Sequence, residues 1–146
     1  MDSSSWVMFA SIVVLILLSA FFSASETAFS TVNKIRLRNY VDGGSTKAQR
    51  ALEIAEDYDN VLSTILIGNN VVNIASTAIA TILFTNLFGA SGAAISTAVM
   101  TVLVLIFGEI LPKSYAKENS EALALRFAAP LGMLMTVLKP FVWFFV

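Results

Sequence analysis

The stretch that decides the fold is residues 6–25, WVMFASIVVLILLSAFFSAS, in which every side chain is apolar or a serine hydroxyl. As a helix, these 20 residues would be roughly 30 Å long, which matches the hydrocarbon core of a bilayer. No Lys or Arg precedes Trp6, so the basic segment of a cleaved signal peptide is missing. We therefore interpret residues 6–28 as a first membrane span.

The composition as a whole also indicates a membrane protein. The chain of 146 residues is 57% hydrophobic and 13% charged, against roughly 25% charged in soluble domains. A domain of this size cannot bury so much apolar surface by itself. The net charge of −1 gives no indication of nucleic-acid binding. Cys and His are both absent, so any bound metal must be held by oxygen, which means a hard cation.

The remaining chain divides into polar and apolar segments. Residues 33–60 predict two short amphipathic helices on the membrane face, and Glu53, Glu56, Asp57 and Asp59 predict an acidic vestibule there. Residues 61–84 and 93–111 predict a second and a third span. Residues 127–146 are apolar but interrupted by two prolines and a lysine, so we favour a juxtamembrane helix at the interface over a fourth span.

These segments define one domain, 1–146, of the all-α integral membrane class. Its predicted architecture is three transmembrane helices, short helices on the cytoplasmic side and a C-terminal juxtamembrane helix. All nine basic residues fall in residues 33–60 or after the third span, two segments that lie on one side of a three-span protein. The positive-inside rule then predicts a multi-pass protein of the cell membrane, with its N-terminus outside and its C-terminus in the cytoplasm.

Polar groups at membrane depth need a partner or a function. Each of the three spans contributes some, and Pro112 cannot donate a hydrogen bond to the Gly108 carbonyl, so we expect that oxygen to be free. The candidate ligands are Ser19, Ser23, Asn69, Asn70, Asn73, Gly108 and Glu109. All of them offer oxygen, and together they predict a hard-cation site between three helices.

Each of these residues also has an ordinary structural explanation. Serines in membrane helices commonly bond back to the preceding turn, and asparagines commonly join helices. Glu109 could be a protonated structural acid, or it could pair with Lys113 one turn further on. The combination on three helices favours the cation site. An intramembrane enzyme is disfavoured, because the spans offer no His, Cys or paired carboxylates.

Three motifs in order resemble the CNNM/CorC family of magnesium transporters, the haemolysin-like membrane proteins with CBS domains. They are SAFFSASETAF at 19–29, GNNVVN at 68–73 and FGEILPK at 107–113, and the resemblance covers nearly the whole chain. It implies a transmembrane domain of three spans plus a juxtamembrane helix, which forms a homodimer in the bilayer. It also implies that a cytoplasmic, ATP-binding pair of CBS domains belongs to the full-length chain and lies outside these 146 residues.

The resemblance implies that the transported ion is Mg²⁺ and that Na⁺ drives its export. Carried over by position, the site would use the Ser19 and Ser23 side chains, an asparagine of the second span, the Gly108 carbonyl and the Glu109 carboxylate. The motif supports Asn69 and Asn73 better than Asn70. Alternative functions are a magnesium-sensing or membrane-anchoring regulatory module without transport of its own, or a channel.

Overall fold

A computed structural model describes residues 2–145, and these residues contain helices and turns but no strand. The predicted all-α fold is confirmed. The helices are α1 (Ser3–Thr31), α2 (Lys34–Asp42), α3 (Thr46–Glu56), α4 (Tyr58–Phe88), α5 (Gly92–Leu103), α6 (Leu111–Glu118) and α7 (Ser120–Phe145). A 3₁₀ turn, Gly89–Ser91, joins α4 to α5, and a π-helical segment, Val104–Ile110, joins α5 to α6.

Three continuous helical stretches in the described residues are long and apolar enough to cross a membrane: Ser3–Thr31, Tyr58–Glu118 and Ser120–Phe144. The second stretch contains the turn at Gly89, where a positive φ of 71° needs a glycine, and folds back on itself there. It therefore supplies two antiparallel helices. The last stretch meets the same criterion of length and composition, so an interfacial position for α7 stays a prediction.

α1 lies at the centre of the bundle and packs against α4, the π-helical segment, α6 and α7. Its contact with α4 is close, because a Cβ on Gly68 would lie 2.5 Å from the ring of Phe22. The α4–α5 contact is equally close, because a Cβ on Gly92 would lie 2.5 Å from the backbone of Thr85. Small residues thus bring three helices near enough for their polar side chains to meet.

The predicted pair of short helices is present as α2 and α3. Their N-termini are capped by Asn33, whose side chain accepts from Ile35 and Arg36, and by Ser45, which accepts from Ala48. Ala51 and Ile54 of α3 pack in one apolar core with Ala128 and Leu131 of α7. Through this packing, the short helices α2 and α3, which contain the basic residues of segment 33–60, cover one end of the bundle.

The third span and the C-terminal helix extend beyond the predicted bounds. We expected the third span to end at Leu111, but the chain stays helical through Pro112 to Glu118. Pro112 directly follows the π-helical segment, where the regular pattern of backbone hydrogen bonds is already interrupted. We expected a separate apolar helix from residue 127. Instead α7 begins at Ser120 and stays helical through Pro130 and Pro140.

Candidate functional site

The site is built around Ser19, which is fully buried in the middle of α1. Its hydroxyl donates to the Asn69 Oδ1 atom of α4 over 3.0 Å. On the other side it fits against Gly108, where an added Cβ would lie only 3.0 Å from the Ser19 Oγ atom. The glycine therefore lets the π-helical segment approach a polar group of α1.

Asn69 extends this contact to the third helix. Its Nδ2 atom donates to the Glu109 Oε1 atom over 3.5 Å, at the long limit for a hydrogen bond. Ser19, Asn69 and Glu109 consequently form one hydrogen-bonded chain across three helices. The sequence predicted these three residues for a common site, and the structure brings them together.

Glu109 also forms the ion pair that the sequence left open as an alternative. The Lys113 Nζ atom lies 3.1 Å from Glu109 Oε2, one helical turn further along the chain. The two carboxylate oxygens thus have different partners: Oε1 faces the Asn69 amide and Oε2 faces an ammonium. The Glu109 side chain is 27% exposed, so it lies at the rim of the buried cluster and not at its centre.

Two other predicted ligands carry buried oxygen atoms without a partner. Ser23 is 1% exposed, and its Oγ atom makes no hydrogen bond within residues 2–145. The Oδ1 atom of Asn73 is likewise buried and unpaired among the described residues. A buried polar atom without a partner is costly, and more so in a bilayer, where water is scarce. Oxygens left in this state are available to a ligand.

Asn70 differs from its two neighbours. Its side chain is exposed, and within residues 2–145 it forms no hydrogen bond. On the helix it is turned about 100° from Asn69, so the two side chains point in different directions. Asn70 is the predicted site residue that the structure sets apart from the Ser19–Asn69–Glu109 chain.

The π-helical segment sets the position of Gly108 and Glu109. The N–H of Leu111 donates to the carbonyl of Ile106, five residues back, instead of to the residue four back as in an α-helix. The wider turn adds one residue to the helix and rotates the next turns about the helix axis. Sequence analysis missed this feature, because Val104–Phe107 is uniformly apolar and has no polar face whose periodicity could shift.

The donor set limits the chemistry of the site. Within residues 2–145 no group of three or more His, Cys, Asp or Glu side chains could hold a metal. Any cation here would be held by one carboxylate with neutral hydroxyl and amide oxygens, which suits hard cations and gives weak binding. Weak binding allows an ion to leave as well as to enter.

A separate cavity of about 770 Å³ lies between α3, α4 and α7. Of the predicted acidic vestibule, Glu53 and Asp57 line it, while Glu56 pairs with Arg38 over 3.1 Å. The remaining walls include Asn60, Lys139 and Trp143. No residue of the Ser19–Asn69–Glu109 chain lines this cavity, so the acidic surface and the buried oxygens are distinct features.

Fold and site together define a multi-pass helical membrane domain in which polar side chains of three helices are joined by hydrogen bonds. Residues 10–146 match the family described as the cyclin M (CNNM) transmembrane N-terminal domain. The chain belongs to this family, which confirms the resemblance seen in the three sequence motifs.

Relatives with several names share this domain. The chain is 39% identical over 136 residues to a UPF0053 protein of Haemophilus influenzae, covering 93% of this chain and 32% of that protein. It is 40% identical over 126 residues to the UPF0053 inner membrane protein YfjD of Escherichia coli, covering 86% and 29%. It is 31% identical over 147 residues to the polyamine export protein of Escherichia coli, covering 92% and 33%. The chain thus spans about a third of the length of these relatives.

Proposed function

We propose that this domain carries Mg²⁺ across the membrane, by export coupled to Na⁺, and binds the ion between α1, α4 and the π-helical segment. The single observation that carries the proposal is the Ser19–Asn69–Glu109 chain, flanked by the unpaired oxygens of Ser23 and Asn73. One carboxylate and several neutral oxygens from three helices match the ligands that a hard cation needs. Asn70 and the Gly108 carbonyl stay predicted ligands.

Binding requires a rearrangement of the hydrogen bonds around Ser19. The Asn69 amide oxygen now accepts from Ser19, so it has to turn toward the ion when it becomes a ligand. The Glu109 Oε1 atom is held only by a long hydrogen bond and is readily released. The release of Glu109 costs little, whereas turning Asn69 leaves the buried Ser19 hydroxyl without its acceptor unless the bound ion contacts the Ser19 oxygen.

The proposal includes the wider assembly that the sequence indicated. The domain works as a homodimer in the cell or inner membrane, with its N-terminus outside and its C-terminus in the cytoplasm. Cytoplasmic CBS domains that bind ATP regulate it. Its role is transport and not enzymatic catalysis. The relative YfjD of Escherichia coli is named an inner membrane protein, which supports this location.

Two other functions give different experimental results. A magnesium-sensing or anchoring module would bind Mg²⁺ without carrying it, and a channel would pass Mg²⁺ at a rate independent of a Na⁺ gradient.

The second candidate for the transported substrate, after Mg²⁺, is an organic polycation, because relatives are named polyamine export proteins. The cavity lined by Glu53, Asp57 and Trp143 favours it, since carboxylates and an indole face both attract alkylammonium groups.

The test is flux from liposomes that contain the full-length protein and are loaded with Mg²⁺. We expect Glu109→Gln to lower Mg²⁺ flux at least about tenfold, because the only carboxylate of the site is removed. Glu118→Gln is the matched control, because Glu118 is exposed on α6 and forms no ion pair within residues 2–145. Normal Mg²⁺ flux in Glu109→Gln would refute the proposal. Flux of spermidine but not of Mg²⁺ would favour the second candidate.

A further inference from the structure

We propose that the Lys113 ammonium is a tethered cation that neutralises Glu109 whenever no transported cation is bound, and that the arriving cation displaces it. The inference rests on the proposed function and adds how the empty site is neutralised. It assigns to Lys113 a role in setting the affinity of the site, although Lys113 itself offers no ligand to a metal.

The geometry gives the ammonium direct access to the ligand carboxylate. Lys113 Nζ lies 3.1 Å from Glu109 Oε2, while Glu109 Oε1 faces Asn69. The lysine is the more exposed partner, at 42% against 27% for the glutamate, so it can move outward without crossing the buried cluster. Pro112 lies between the two residues, at the start of α6.

Electrostatics makes the lysine and a bound cation mutually exclusive. A divalent ion on Glu109 would stand within a few ångströms of the ammonium, and like charges at that distance repel strongly in a medium of low dielectric constant. Conversely, an ionised carboxylate left without any cation at the membrane is costly. The lysine therefore has to leave when the ion binds and return when the ion departs.

A second carboxylate can receive the displaced ammonium. Glu26 lies between Ala24 and Ala28 of α1, and these two alanines pack against Ala116 of α6, about one turn along that helix from Lys113. Glu26 has no ion pair of its own within residues 2–145, although its backbone carbonyl accepts from the Tyr58 hydroxyl over 3.4 Å. Lys113 thus has one carboxylate, Glu109, as its ion-pair partner, and a second, Glu26, lies on the adjacent helix α1.

An ion pair within one helix that has no role in ion binding would behave differently. Partly exposed ion pairs four residues apart add little to stability, and their loss is not expected to alter ligand affinity. If the Lys113 ammonium competes with Mg²⁺, the opposite is expected: removing the ammonium leaves the fold intact and strengthens the binding of Mg²⁺. Affinity, and not thermal stability, is therefore the decisive measurement.

The experiment measures Mg²⁺ binding to the purified full-length protein in nanodiscs by calorimetry, together with the Mg²⁺ concentration for half-maximal flux. We expect Lys113→Met to bind Mg²⁺ at least about tenfold more tightly and to release it more slowly. Lys113→Arg, which keeps the charge, and Lys117→Met, an exposed lysine on the same helix, should stay within about threefold of the wild type. If Lys113→Met does not fold, Lys113→Gln replaces it.

A double-mutant cycle shows whether the effect acts through Glu109. In the Glu109→Gln background, adding Lys113→Met should change affinity by no more than about twofold. Unchanged or weaker binding by a folded Lys113→Met or Lys113→Gln protein overturns the inference, as does a full effect that persists without Glu109. If Glu109→Gln alone neither weakens binding nor lowers flux, the proposed function fails instead.

Discussion

Gly108 shows how one missing side chain sets the geometry of the site. The sequence indicated Gly108 as a source of a free carbonyl beside Pro112, which stays a prediction. The structure adds a steric role, because the Ser19 hydroxyl lies where a Cβ on residue 108 would make a tight contact. This contact depends on the relative rotation of two helices, so sequence spacing alone could not predict it.

Gly108→Ala is expected to lower Mg²⁺ flux about tenfold, because the added methyl group would lie 3.0 Å from Ser19 Oγ and push it away from Asn69. Gly132→Ala is the control, since its Cβ would meet only Ile54 Cδ1 at 3.9 Å, an ordinary contact. Flux assays and thermal unfolding of both variants make the comparison. Equal flux in the two variants would show that Gly108 has no special role at Ser19.

Ser23 allows a prediction in which stability and binding change in opposite directions. Its buried Oγ atom has no partner in the described residues, so Ser23→Ala should stabilise the cation-free protein by about 1 kcal/mol. The same change should weaken Mg²⁺ binding by removing a ligand. Ser76→Ala is the control, because the Ser76 hydroxyl is equally buried but donates to the Asn73 carbonyl over 3.0 Å.

Ser76→Ala should therefore give no gain in stability and little change in Mg²⁺ affinity. Thermal unfolding with and without Mg²⁺ measures both quantities for the two serine variants. A loss of stability in Ser23→Ala without Mg²⁺ would mean that its hydroxyl has a partner after all, and would remove Ser23 from the candidate ligands.

At the scale of elements, the existence of the helices could be predicted, but their registers could not. Long apolar runs predicted α1 and α4 within a few residues at both ends, and the start but not the end of the third helix. The small residues early in the third span predicted close packing, and Gly92 and Ser96 do face α4. The other small residues there are exposed: Ala93, Ala94, Thr97 and Ala98. Composition predicts that a helix packs closely but not with which face, because every face of this segment is small or apolar.

The α4–α5 contact gives the clearest stability prediction. A Cβ on Gly92 would lie 2.5 Å from the Cα and N atoms of Thr85, and backbone atoms cannot move aside cheaply. Gly92→Ala should thus lower the free energy of unfolding by about 2 kcal/mol, the usual cost of overpacking. Gly43→Ala is the control, with its nearest neighbour, the Tyr40 carbonyl oxygen, at 3.5 Å.

Reversible unfolding of the purified protein in mixed micelles measures this difference between the two glycine variants. If Gly92→Ala were as stable as Gly43→Ala, α4 and α5 would have to lie further apart than the close approach of Gly92 to the Thr85 backbone indicates.

At the scale of the whole molecule, the basic segments lie together. Arg36 of α2 pairs with Glu121, at the start of α7, over 3.3 Å, which joins the segment before the second span to the segment after the third. The sequence predicted this shared side from the number of spans, and the basic residues were used to predict its orientation. The π-helical segment and the long α7 could not be predicted in the same way, since neither changes the pattern of charge or hydropathy.

The predicted orientation can be tested because the chain has no cysteine of its own. We expect a membrane-impermeant maleimide to label Ser91→Cys, in the turn between α4 and α5, on intact cells or spheroplasts. It should label Ser45→Cys, between α2 and α3, only after permeabilisation. The reverse pattern would mean that the chain is inserted with its N-terminus in the cytoplasm. Each variant serves as the control for the other.

The turn between α4 and α5 also bears on how the protein is made. Residues 85–92, TNLFGASG, contain no ionisable side chain, and the turn itself needs only three residues, Gly89–Ser91. In the predicted orientation this loop passes through the hydrocarbon layer during biosynthesis, and a charged side chain at the centre of that layer costs about 3 kcal/mol. This turn contains no such side chain. The α4–α5 hairpin can accordingly enter the bilayer as a pre-paired unit, so that the second and third helices meet before the site around Glu109 is assembled.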